Sequence, residues 1–257
     1  MTYNLPAELS VDVVGPVRIV TMNNPDQLNA FIEPLHDDFV ALWQQLAADR
    51  DCRAVVLTGA GRAFSAGGDI PGFIRNYEDP EHRRASLRAA RKLVDEMLAF
   101  HLPLIAAVNG PAVGLGCSIA GLADIVLMSD RAYLADTHVN VGLVAGDGGA
   151  ALWPLMTSIL RAKEYLFTGD RISPELAVQL GLANRVVPHG ELLTEATALA
   201  RRIAAQPRQA VQETKRAVNI HMQNAVASVM PFALSAEAES FATDDLRVTI
   251  EKFKNPA

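Results

Sequence analysis

The sequence predicts an α/β protein with a mostly parallel sheet buried on both faces and a helical C-terminal region. Three observations predict it. Four short, almost continuously apolar runs end in Gly, Asn or Ser, as strands covered on both faces do. Stretches with helical periodicity separate them. Beyond Pro188 strand signals stop, and Ala, Glu, Gln and Arg dominate to the end of the chain.

The runs Val17 to Met22, Ala54 to Thr58, Leu102 to Val108 and Ile125 to Met128 are the expected strands. From Phe31 to Leu46, the apolar positions Phe31, Leu35, Phe39, Leu42, Trp43 and Leu46 keep to one side of a helix, with Pro34 placed in its first turn. Arg83 to Phe100 repeats the pattern through Leu87, Arg91, Val94, Met97 and Leu98. Between these helices, Pro71 to Arg84 reads as a loop that shapes a pocket wall. Ser173-Pro174-Glu175 carries an N-cap, a first-turn proline and a first-turn acid, and Gly181 sits where a helix ends. The expected division is a strand-and-helix core over residues 1–188 and a helical region over 189–257 that packs on the core or on a neighbouring subunit. That region has too little apolar surface to fold alone.

Half of the 257 residues are hydrophobic but only 6 % are aromatic, so Ala, Val, Leu and Gly fill the core. A formal net charge of −6 argues against a nucleic-acid partner, which calls for a basic stripe. No apolar run reaches the roughly 18 residues a membrane span needs. The two cysteines, Cys52 and Cys117, sit in apolar surroundings and read as core thiols. No His, Asp and Glu spacing matches a metal motif. MTYNLPAELS has neither the basic nor the apolar part of a secretion signal, so a cytoplasmic location is expected.

Three glycine-rich segments carry the functional information: Gly61 to Ile70, Val108 to Ser118 and His138 to Gly149. The first two directly follow predicted strands. Neither Gly114-x-Gly116 nor Gly146-x-Gly148 completes a dinucleotide fingerprint, and no ATP P-loop is present. A small-residue loop serves another purpose: it lets a carbonyl approach the backbone, where two amides aimed at one oxygen stabilise an oxyanion. Ala66, before Gly67-Gly68, and Leu115, between Gly114 and Gly116, are placed to present such amides.

The stretches TMNNPDQLNAF, GRAFSAGGDI, AAVNGPAVGLGCSIAGLADIVLMSD and TGDRISPELAVQLGLANRVV together resemble the crotonase superfamily, the enoyl-CoA hydratase/isomerase family, over essentially the whole chain. The resemblance implies a spiral of ββα units and a C-terminal helical trimerisation region. It implies a homotrimer or a hexamer built from two trimers. It also implies a lyase or isomerase of acyl-CoA metabolism that takes a thioester as substrate, with coenzyme A part of that substrate and no separate cofactor. Carried onto this chain, the oxyanion amides are those of Ala66 and Leu115. Ala66, Gly67, Gly68, Asp69 and Ile70 line the CoA moiety, and Lys254 lies in reach of its phosphates.

The chain departs from the family's hydratases at both water-handling glutamates. Ser118 and His138 stand at those positions. Ser118 by itself is no acid or base near neutral pH. His138 takes over the acid/base role, with Asp147 holding its second nitrogen, and a rate rising through the ordinary imidazole pKa of roughly 6.5 is expected. The segment HVNVGLVAGDGGAALWP also resembles the histidine–aspartate stretch of the superfamily's β-diketone hydrolases, although Gly116 stands where their second histidine is expected. Asp147 resembles, too, the nucleophile of the aryl-CoA dehalogenases. A Ser118–His138–Asp147 triad lacks the GxSxG elbow. His36, His82, His101, His189 and His221 read as surface or partnerless residues. Hydration, isomerisation, thioester or β-diketone hydrolysis, and acyl-CoA binding without catalysis all remain open at this point.

Overall fold

A computed structural model describes residues 2–32 and 35–255, so Pro34 lies outside the described residues. The strands are β1 (Leu9–Val14), β2 (Val17–Met22), β3 (Ala54–Gly59), β4 (Leu104–Val108), β5 (Ala112–Val113), β6 (Ile125–Ser129), β7 (Leu134–Ala135) and β8 (Arg185–Val187). The helices are α1 (Leu35–Ala48), α2 (Ile70–Glu78), α3 (Pro80–Ala99), α4 (Leu115–Gly121), α5 (His138–Val141) and α6 (Gly149–Met156). They continue as α7 (Ile159–Thr168), α8 (Pro174–Leu180), α9 (Leu192–Ala204), α10 (Arg208–Ser240) and α11 (Asp244–Lys254).

All four expected strands form, and they become the middle of a six-stranded sheet in the order β1-β2-β3-β4-β6-β8. Only β1 runs antiparallel, joined to β2 by a tight turn at Gly15, whose φ of +63° is open to glycine. The remaining pairs are parallel. A second, two-stranded parallel sheet pairs β5 with β7.

Period-two alternation explains why these strands read as continuously apolar. Val17, Ile19, Ala54, Val56, Ile105, Ala107 and Leu127 pack on one side against Leu192, Ala196, Ala200 and Ala204 of α9. Alanine at every fourth position gives that helix a flat face that lies close to the sheet. Val20, Met22, Val55, Leu57, Leu104, Ala106, Val108, Val126 and Met128 point the other way, into the main core with α1, α3 and α6. Phe39 and Trp43 of α1 centre that core, stacked edge-to-face with ring centroids 5.1 Å apart.

Some elements differ from the sequence expectation. Phe31 is not helical: it makes an isolated parallel bridge to Gly68, and α1 begins at Leu35. Residues Pro71 to Arg84 are not a loop but most of α2 and the start of α3, which Asp79 caps by accepting from the Glu81 and His82 amides. Strands β5, β7 and β8 are too short to stand out in the sequence, and β1, as rich in apolar residues as β2, was not singled out. The cap at Ser173 and the left-handed Gly181 form as the residues imply. After β8 every regular element is helical, with α9 on the sheet and α10 packed along α3 and α6. No helix is long and apolar enough to cross a membrane among the described residues.

Candidate active site

The C-terminal ends of parallel strands leave a crevice where loops converge. Here the loop after β3 and the loop after β4 meet there and interlock through two glycines. A Cβ on Gly67, whose φ is +83°, would stand 2.5 Å from the Val113 carbonyl oxygen, and one on Gly116 would stand 2.6 Å from the Ser65 carbonyl oxygen. Neither contact tolerates a side chain.

The TMNNPDQLNAF segment braces this junction. Asn29 is 1 % exposed, and its side-chain amide donates to the carbonyls of Ala60 and Ala63, both at 2.9 Å. Ser65 donates through Oγ to the Asn29 carbonyl. The Ala66 N–H donates to the Leu28 carbonyl at 2.9 Å, so it is engaged within the fold and is not open to a substrate oxygen. That corrects the assignment of Ala66 to an oxyanion hole. Two residues on, Gly68 lines the pocket, and its N–H has no backbone acceptor among the described residues. Leu115 begins α4 behind Gly114, and a first-turn N–H has no intrahelical acceptor. Leu115 lines the same pocket.

The cavity encloses about 140 Å³. Ala66, Gly68 and Asp69 border it on the loop after β3, Gly114 and Leu115 on the loop after β4, and Phe73, Asn76, His82 and Ser86 on α2 and α3. Among the expected CoA-contacting residues, Ile70 is largely exposed at the start of α2. Lys254 forms an ion pair with Glu78 at the surface.

His138 lines the cavity, 8 % exposed, as the first residue of α5. Its Nδ1 lies 2.6 Å from Asp136 Oδ1, and its Nε2 lies 3.3 Å from Asp147 Oδ2. Asp136, not Asp147, therefore holds the second ring nitrogen, while Asp147 faces the nitrogen turned toward the pocket. Asp147 comes from the glycine-rich loop ahead of α6, and Ser118 of α4 donates to its other oxygen at 2.9 Å. Because Ser118 gives its proton to the carboxylate rather than to the imidazole, a serine–histidine nucleophile pair does not form.

Burial alone would lower the His138 pKa, but the Asp147 and Asp136 charges outweigh it and hold the imidazolium well above its ordinary value. Burial likewise works against ionisation of Asp147, yet the His138 charge and the hydrogen bonds from His138 and Ser118 keep it below the ordinary carboxylate value. The resting pair is a carboxylate and an imidazolium.

Of four further groups that border the cavity or complete the site, Asp136 and Glu237 were not singled out, and His36 and His82, expected at the surface, are half-buried. Asp136 was legible in principle: an aspartate two residues before a histidine is a local side-chain-to-backbone arrangement, and Asp136 also accepts the His138 amide. His36 and His82 line the cavity from α1 and α3. Glu237 reaches it from α10, about ninety positions beyond the glycine segments, and nothing in its Ala-rich surroundings marks it. His189, read as partnerless, lies with Nδ1 3.0 Å from Ser129 Oγ.

Residues 14–256 match the family model for enoyl-CoA hydratase/isomerase. The chain is 32% identical over 240 residues to the short-chain-enoyl-CoA hydratase of Clostridium acetobutylicum, covering 93% of this chain and 91% of the relative. It superimposes on the crystal structure of an enoyl-CoA hydratase/isomerase from Mycobacterium paratuberculosis with a TM-score of 0.93 and 50% identity, over 97% of this chain and 100% of that one. It also matches a β-diketone hydrolase from the cyanobacterium Anabaena sp. PCC 7120, bound to (S)-3-oxocyclohexyl acetic acid. There the TM-score is 0.84 and the identity 28%, over 94% of this chain and 96% of the hydrolase. With the sheet, the two interlocked glycine loops and the helical C-terminal region all in place, the chain belongs to the enoyl-CoA hydratase/isomerase family, and its fold is that of the crotonases.

Proposed function

We propose that this enzyme acts on an acyl-CoA thioester through an enolate, with a histidine–aspartate pair in place of the two glutamates of hydratases. The observation that carries the proposal is the asymmetry around His138: a short contact from Nδ1 to Asp136 and a long one, 3.3 Å, from Nε2 to Asp147. Charge-assisted N–H···O bonds are normally about 2.7–2.9 Å. One ring nitrogen is thus fixed, and the other is loosely held where it can serve a substrate.

The Leu115 and Gly68 amides take the thioester carbonyl, and negative charge that develops on its oxygen is stabilised there. In the hydration direction, Asp147 accepts a proton from water as the water oxygen bonds to C3. The π electrons pass to the carbonyl oxygen, and His138 delivers its Nε2 proton to C2. The proton on Asp147 then crosses to His138 and restores the resting pair. Isomerisation uses the same two groups without water.

Active enzyme in this scheme carries Asp147 ionised and His138 protonated. The Asp147 pKa is lowered and the His138 pKa raised, so activity is level between the two and falls both as pH drops through the lowered carboxylate value and as pH rises through the raised imidazole value. This replaces the rise through pKa 6.5 expected from an isolated histidine. His138→Ala removes the proton carrier and lowers turnover by about 10²–10⁴-fold. Full turnover in that variant would refute the assignment.

A second reading, hydrolysis of a C–C bond between two ketones, is favoured by the loss of both glutamates and by the likeness to the Anabaena hydrolase. Here water activated by Asp147 attacks a ketone, and His138 protonates the departing enolate carbon. Mass spectrometry after incubation with 2-enoyl-CoAs, saturated acyl-CoAs and β-diketones separates the readings. A gain of one water with CoA retained supports the hydratase scheme. Free CoA shows a thioester hydrolase, and cleaved diketone supports the second reading.

A further inference from the structure

Glu237 is 7 % exposed and borders the catalytic cavity, yet its Oε2 has no hydrogen-bond partner. The carboxyl head rests against the loop that carries Asp147: a Cβ on Gly146 would lie 2.3 Å from Oε2, so only glycine makes room for it there. Burial pushes its pKa up to about 8, reinforced by Asp147 and Asp136 and opposed by His138 and by the Gly146 N–H, which biases the group toward its protonated form near neutral pH. A protonated carboxyl is an O–H donor.

A buried polar group at a pocket wall penalises any ligand that leaves it unpaired. An apolar acyl chain laid against the carboxyl offers it no partner. Sites built to hydrogen-bond a ligand oxygen reject the analogue lacking that oxygen far more strongly than apolar pockets reject a missing methylene. The flanking Asp136 and Asp147 make the same place hostile to an anion. We infer that Glu237 is a specificity-determining residue, selecting acyl groups with a second, neutral acceptor oxygen (a ketone or hydroxyl) apart from the carbonyl held by the Leu115 and Gly68 amides. The inference deepens the acyl-CoA reading above and rests on it for the identity of the first carbonyl. It does not require the CoA moiety.

Two ligand series test it by calorimetric titration. One compares pentanoyl-CoA with 3-oxopentanoyl-CoA and 4-oxopentanoyl-CoA. The other compares 2-heptanone with 2,4-heptanedione. Wild-type protein is expected to favour an oxygenated member by about 10- to 100-fold. Glu237→Gln, which keeps an N–H donor of the same shape, should retain most of that preference. Glu237→Leu should reduce it below about threefold by strengthening binding of the plain ligand. Preference in the ketone series alone would sink the acyl-CoA reading and sustain the role of Glu237. Equal binding of plain and oxygenated ligands by the wild type, or a preference that survives Glu237→Leu, would overturn the role of Glu237 whichever series binds. Silence in both series would overturn both ideas. Glu237→Met, which also removes the donor, takes the place of the leucine variant if that one does not fold, with the same expected loss of preference.

Discussion

The chemistry proposed for this site depends on the different lengths of two contacts to a single imidazole. Asp136 lies 2.6 Å from Nδ1 and shares with Asp147 the work of keeping His138 protonated, against the burial that would discharge it. Replacing Asp136 by Asn keeps an acceptor for the Nδ1 proton but removes one of the two charges. The His138 pKa then falls, so the alkaline limb of the rate profile moves down toward neutral pH, and the maximal rate drops on the order of 10²-fold or more. A pH–rate profile of both proteins checks this, and an unmoved alkaline limb would exclude His138 as the group that titrates there. Asp136 lay within reach of the sequence, since its spacing from His138 is local. The length of the Nε2 contact did not, because it depends on where α6 holds Asp147 relative to α5.

Two loops, each following a buried parallel strand, build the proposed oxyanion site by fitting glycine against backbone. The sequence marks both loops, but it misplaces one amide. Ala66 sits in the motif, yet Leu28 takes its N–H, and only the folded arrangement of the 23–31 segment reveals that. Gly116→Ala would force a methyl group to 2.6 Å from the Ser65 carbonyl oxygen and push the loops apart. The expected result is a folded protein about 1–3 kcal/mol less stable, as for other overpacked sites. Turnover should be largely lost, because displacement of reacting groups by 1 Å costs about 10²-fold. Thermal melting alongside kcat measurement separates the two effects. Retained activity would show that the interlock does not position the amides. The second element that sequence alone misreads is the pocket wall. Residues 71–84 carry two prolines and many charges, the marks of a loop. Pro71 and Pro80 instead occupy first turns, where a proline's missing N–H costs nothing.

Several large apolar side chains lie open on the isolated chain, among them Leu160 at 80 %, Phe167 at 69 % and Phe232 at 77 %. Leu160 and Phe167 are seven positions apart on α7 and share one face of it. Such exposure marks a surface that another chain covers. We propose, with the family resemblance, that the protein assembles as a trimer or a pair of trimers. Light scattering coupled to gel filtration should give three or six times the chain mass, and Phe232→Asp should lower it. A monomeric wild type would contradict the assembly. The sequence by itself determined the α/β class, the order of the main strands, the glycine loops, the missing hydratase glutamates and the candidacy of His138. The class, strands and loops rest on local periodicity and turn chemistry, and the two glutamate positions and His138 on the resemblance to the family. Tertiary structure decided which amides stay open, which carboxylate faces which nitrogen of His138, and that Glu237 arrives from a distant helix biased toward its protonated form. These properties follow from distances and burial between segments far apart in the chain, and no local pattern encodes them.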